Sequence, residues 1–111
     1  MNTQAQAQKI AALNDALRQR GIGGRIMMTA GIQALGRGAV IEIMNKIREF
    51  DTFSEGNDPY GERDFGSITV DGNKVFWKVD YYDRNMQYAS PNPADQSVTV
   101  RVMTIMLADE Y

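Results

Sequence analysis

Apolar residues recur along this chain at two spacings, one helical and one strand-like. Ile10, Leu13 and Leu17 fall three and four apart in the alanine- and glutamine-rich run from Gln4 to Arg20, which predicts a helix with one narrow apolar stripe. Gly21, Gly23 and Gly24 end it, and Arg25-Ile26-Met27-Met28-Thr29 then reads as a short strand closed by Gly31. Val40, Ile43, Met44 and Ile47 return to helical spacing, so a second helix is expected from about Gly38 to Phe50 with its stripe on a sheet. Phe65 to Asp71 and Lys74 to Tyr82 alternate in polarity around Asp71-Gly72-Asn73, the signature of a β-hairpin. In its second arm Val75, Trp77, Val79 and Tyr81 share one face, and Phe76, Lys78, Asp80 and Tyr82 the other.

Beyond the hairpin, Asp83-Arg84-Asn85 predicts a turn into a short edge strand at Met86 to Tyr88, broken by Ser90-Pro91-Asn92-Pro93. The C-terminal segment is readable two ways. Val98, Val100 and Val102 alternate like a strand, whereas Asn92 before Pro93, with Asp95 in the first turn, looks like a helix cap. Val98, Val102, Ile105 and Met106 continue a helical stripe, with Val100, Met103 and Leu107 as a second, so a well-buried helix from about Pro93 to Asp109 is the expectation. The predicted fold is therefore α+β: a small antiparallel sheet, with the hairpin 65–82 at its centre, packed against two or three helices. Met27, Met28, Met44, Met103 and Met106 fall on its core stripes.

A chain of 111 residues, 43% hydrophobic and 23% charged, can bury a modest core and is expected to be one domain, 1–111, with the N-terminal helix, 1–20, at its periphery. Cysteine and histidine are both absent, which excludes thiol and imidazole nucleophiles, the Ser-His-Asp triad and Cys/His zinc or haem ligation. No apolar run approaches the roughly 20 residues of a membrane span, and the N-terminus lacks the apolar core of a signal peptide, so a cytoplasmic location is expected. The net charge of −2 is unevenly placed. Residues 1–48 carry seven bases against Asp15 and Glu42, a net +5, and residues 49–64 carry six acids against Arg63, a net −5. A pI near 5.0 argues against general nucleic-acid binding, which needs a concentrated basic face.

The acidic stretch reads as a long loop from Ser54 to Asp64. Asp58-Pro59-Tyr60-Gly61 has the composition of a type I turn, which accounts for three of its residues but not for Glu62 and Asp64 on the same stretch. Asp51 to Glu62 has the length of a calcium-binding loop, with Gly56 at its sixth position, but Phe53 replaces a ligand and Pro59 sits at the ninth position. A looser magnesium or manganese site would draw on Asp58, Glu62, Asp64 and Asp80. Lys78, Asp80 and Tyr82 form a row of base, acid and phenol on one strand face, readable either as a cross-strand ion pair with a solvated rim or as an interaction face with Tyr60 and Tyr88. Gly21-Ile22-Gly23-Gly24 is a helix stop rather than a phosphate loop, since it runs from helix to strand.

Asn57-Asp58-Pro59-Tyr60-Gly61-Glu62, Asp64-Phe65-Gly66, Phe76-Trp77-Lys78-Val79-Asp80-Tyr81-Tyr82-Asp83 and Thr104-Ile105-Met106-Leu107-Ala108, in that order, resemble the signature of a small bacterial family of unknown function found in alphaproteobacteria and their plasmids or other mobile elements. The resemblance spans about Ala11 to Tyr111. It implies a bacterial cytoplasmic protein whose genes travel with accessory DNA, a setting in which counter-defence proteins are common.

The functional expectation is a non-enzymatic protein-binding module, an anti-CRISPR-like or anti-restriction-like accessory factor that occupies the surface of a host protein complex. Asp58, Tyr60, Glu62, Asp64, Lys78, Asp80 and Tyr82 are its candidate partner-binding residues, with no catalytic or metal-ligating residue, no cofactor, no direct nucleic-acid contact and no membrane. The alternatives are a small carboxylate-based metal-dependent hydrolase using Asp58, Glu62, Asp64 and Asp80, and a structural homodimer subunit pairing through the hairpin edge.

Overall fold

A computed structural model describes residues 3–111. Helix α1 (Gln4–Arg20) starts with a capping box, in which the Thr3 hydroxyl accepts from the Gln6 amide and the Gln6 side chain accepts from the Thr3 amide. It stops at Gly21, whose φ of 69° only glycine adopts freely. Strand β1 (Arg25–Met28), the one-turn helix α2 (Ala30–Gln33) and helix α3 (Arg37–Glu49) follow. The hairpin is β2 (Phe65–Val70) and β3 (Asn73–Tyr82), and β4 (Val100–Leu107) is the last strand. The two helices longer than one turn and both hairpin strands lie where the periodicity places them.

The strands form one sheet in the order β1-β4-β3-β2. β3 pairs antiparallel with both neighbours, but β1 runs parallel to β4, with Arg25 opposite Val102, so the sheet is mixed and β2 is an edge. All three helices bury side chains against one sheet face: Leu17, Ile32, Ile43 and Ile47 meet Val70, Val75, Trp77, Val79, Met103 and Ile105. Trp77 is fully buried, with Phe50 and Phe53 edge-on to its ring at 5.7 and 6.1 Å. Gly66, its partner across β2 and β3, is the opening that admits the indole, since a Cβ there would lie 2.4 Å from Trp77 Nε1.

Three expectations are corrected. Where a helix was expected from Pro93 to Asp109, Val100–Leu107 form the strand β4. A strand between two others fills both faces, so its apolar residues run nearly unbroken and imitate a helical stripe. The capping signal is local: the Asp95 carboxylate accepts from the Ser97 amide and starts only the 3₁₀ turn Gln96–Val98. No strand forms at 86–88; Ala89 alone bridges back to Tyr82. Met27 points away from the helices and is 54% exposed rather than core.

Candidate functional site

Two surfaces and one buried network contain the candidate residues. The first surface is the sheet face opposite the helices. Lys78, Asp80 and Tyr82 project from it, half-buried, as the alternation of β3 requires. Lys78 Nζ lies 2.9 Å from Asp80 Oδ2, so the ion pair runs along one strand rather than across two. The hydrogen bond to Asp80 raises the Lys78 pKa above the ordinary lysine value. With both side chains more than a third exposed, the pair orients the row more than it stabilises the fold. Beside it, Phe65 packs on Phe76 at 5.1 Å, and Tyr111 folds back edge-on to Phe76 at 5.8 Å. Lys74 Nζ sits 5.6 Å from the Phe76 ring. This face therefore presents three clustered rings, a phenol and a charge pair to solvent.

The second surface is the turn Asp58-Pro59-Tyr60-Gly61. It closes through the Gly61 amide donating to the Asp58 carbonyl at 3.1 Å. The Asp58 carboxylate accepts from the Arg63 amide at 3.0 Å, holding Arg63 at a left-handed φ of 51°. Asp58 is thus occupied in shaping the loop. Tyr60 is 79% exposed and, with Pro59, borders a cleft of about 480 Å³ against Gln4, Ala7 and Gln8 of α1.

Glu62 does not join either surface. Expected on an exposed loop, it is 8% exposed, because the αL residues Gly61 and Arg63 turn it inward. Its Oε1 accepts from the Tyr81 hydroxyl at 2.9 Å, and its carbonyl accepts from Asn14 Nδ2 at 3.0 Å. Asn14 Nδ2 also donates to the Tyr81 oxygen at 2.8 Å, and Asn14 Oδ1 accepts from Arg101 Nε at 2.7 Å. Arg101, fully buried, donates further to Gln96 Oε1 and the Pro93 carbonyl, and lies 5.2 Å from the Tyr81 ring. One polar chain thus ties α1, the acidic loop, β3, β4 and the segment before β4. Burial pushes the Tyr81 phenol far above its ordinary pKa, so it remains a donor, and burial lowers that of Arg101.

A second chain runs beside it. Arg18, 2% exposed, donates to the Ile47 and Phe50 carbonyls at the end of α3, both at 2.9 Å, while its guanidinium lies 5.3 Å from the Trp77 ring. Asp15 accepts from Arg18 and from both Nε and Nη2 of Arg63, at 3.0, 3.1 and 2.6 Å. Asp64, half-buried, has its carboxyl pKa raised first by burial and then by the neighbouring Glu62.

The structure therefore gathers Lys78, Asp80 and Tyr82, sets Tyr60 apart beside α1, and gives Asp58 and Glu62 hydrogen bonds inside the fold. Among the described residues no three acidic side chains converge as a metal-holding group. Asn14 and Arg101 were not legible as site residues, although each carried a signal: an asparagine inside a helical stripe, and a lone arginine inside an apolar run.

Residues 28–110 match DUF3768, described as a protein of unknown function. The chain belongs to the DUF3768 family. The matched segment runs from the end of β1 through β4, so it contains Glu62, Tyr81 and Arg101 but leaves out α1 with Asn14, Asp15 and Arg18. No curated protein and no solved structure matches the chain. No helix among the described residues is long and apolar enough to cross a membrane.

Proposed function

We propose that this DUF3768 chain is a non-enzymatic protein-binding module that docks through the sheet face opposite its helices. The observation that carries this reading is the set of half-buried rings of Phe65, Phe76 and Tyr82, with the exposed Tyr111, around the Lys78–Asp80 pair. Aromatic side chains on a rigid sheet supply contact area at little conformational cost, and the ion pair supplies orientation. The partner it fits is a protein whose docking patch is apolar at its centre and polar at its rim.

The wider setting follows from the sequence motifs. In this reading the protein is bacterial and cytoplasmic, is carried with plasmids or other mobile elements, and acts as a counter-defence factor by occupying the surface of a host complex. Glu49, Asp51 and Glu55, exposed on and beside the acidic loop, would add a negative margin that competes for a basic channel.

The test is capture of host proteins by the tagged chain, identified by mass spectrometry, with the triple variant Lys78→Ala, Asp80→Ala, Tyr82→Ala alongside. The expected result is a defined complex retained by the parent and lost by the variant while both unfold at the same urea concentration. Equal capture by the two would remove this face from the reading.

A further inference from the structure

A basic cleft lies where the link from α1 to β1, the segment after β3 and the segment before β4 meet. It encloses about 350 Å³ and is lined by Arg25, Arg84 and Arg101, with Gly24, Gln96 and Thr99 among its walls and no carboxylate in its lining. For a chain of net charge −2, a concavity with two exposed arginines and no carboxylate is a local inversion of sign.

The three are not equivalent. Arg101 is fully buried, its guanidinium committed to Asn14, Gln96 and the Pro93 carbonyl, so it offers no free donor to a ligand. Gln96 is fixed as well, since its Nε2 donates to the Gly23 carbonyl at 2.9 Å, and Thr99 donates to the Asn92 carbonyl at 3.0 Å. Arg25 and Arg84 are exposed and have neither a hydrogen bond nor an ion pair from their side chains to any described residue. Two uncommitted guanidinium forks on one concavity that no carboxylate lines make a receptor for an oxyanion, because each fork matches two oxygens of one group and the concavity focuses the field.

We propose that this cleft binds the phosphate of a small phosphomonoester or pyrophosphate-bearing molecule, with Arg25 and Arg84 as the two clamping forks. A phosphate dianion fits better than a carboxylate, since its three terminal oxygens can serve both forks at once. A compact ligand fits better than a nucleic-acid strand, since the site is one concavity in an acidic protein rather than a basic track. The proposal is independent of the sheet-face reading.

The experiment is calorimetric titration of the full chain with pyrophosphate at low ionic strength, repeated with acetate and with an oligonucleotide lacking terminal phosphates. Arg25→Ala and Arg84→Ala are made singly, with urea unfolding as the check on the fold. Saturable pyrophosphate binding is expected, weakened at least about tenfold by each substitution, as loss of a charge-assisted contact implies. Arg84→Lys should recover only part of it, since lysine lacks the fork. Three results would overturn the proposal: no saturation by about 10 mM, a range that still detects weak sites; affinity unchanged in both alanine variants; or acetate or the oligonucleotide binding as tightly as pyrophosphate.

Discussion

Tyr81→Phe removes one oxygen from the centre of the buried network and leaves the ring, its packing and its strand position intact. That oxygen donates to Glu62 Oε1 at 2.9 Å and accepts from Asn14 Nδ2 at 2.8 Å. The bond to the carboxylate is charge-assisted, which sets its net value at about 1.5–3 kcal/mol, and the amide bond adds about 0.5–1.5 kcal/mol. Asn14 Nδ2 keeps the Glu62 carbonyl as an acceptor, which trims the second contribution. The expected loss is about 2–4 kcal/mol, or roughly 8–15 °C in Tm for a domain of this size. Urea unfolding measures it as a lower midpoint at unchanged slope. Asn14→Ala, alone and combined with Tyr81→Phe, then closes a double-mutant cycle, and members of one network should couple by about 0.5–3 kcal/mol. A loss below about 0.5 kcal/mol, or strict additivity, would refute the claim that these contacts act as one unit.

Three further outcomes are expected. Gly66→Ala places a methyl against the buried Trp77 indole and should cost about 1–3 kcal/mol by overpacking, while Trp77→Ala should cost about 3–5 kcal/mol; equilibrium denaturation reads both. Asp64 binds its proton more tightly folded than unfolded, because burial and then Glu62 raise its pKa, so its ionisation opposes folding at neutral pH and that penalty fades as pH falls through the folded pKa. Asp64→Asn should therefore be more stable than the parent at pH 7 and lose that advantage on acidification, as paired unfolding curves across pH would show. Millimolar calcium, magnesium or manganese should leave Tm unchanged; a saturable rise would point to the hydrolase alternative.

The helices and the hairpin were legible because their signals are local. Gly21 ends α1 where a left-handed residue is needed, and Asp71-Gly72 turns the hairpin with both residues at positive φ. β4 was not legible because its two filled faces erase the alternation that marks a strand, and the Asn92-Pro93-Asp95 signal governs only a 3₁₀ turn. The candidate row on β3 could be read from period two alone. Glu62 could not: its direction depends on the backbone at Gly61 and Arg63 and on Asn14, 48 residues earlier in the chain. Burial of Arg101 likewise depends on Asn14 of α1, 87 residues earlier, which no local window contains.

The parallel pairing of Arg25–Met28 with Val102–Ile105 makes this fold a late closer during synthesis. β1 leaves the ribosome well before its partner strand β4, by roughly 4–15 s at about 5–20 residues per second. Through that interval Ile43 and Ile47 of α3 lack Met103 and Ile105, and the Trp77 face of the hairpin lacks its neighbour β4. The nascent chain is therefore a half-sheet with an open apolar side, and its final step closes a long loop that native contacts repay only at the end. A premature stop early in β4 would consequently release an incomplete core with an unpaired β3 edge, a substrate for chaperones and proteases rather than a smaller version of the same protein.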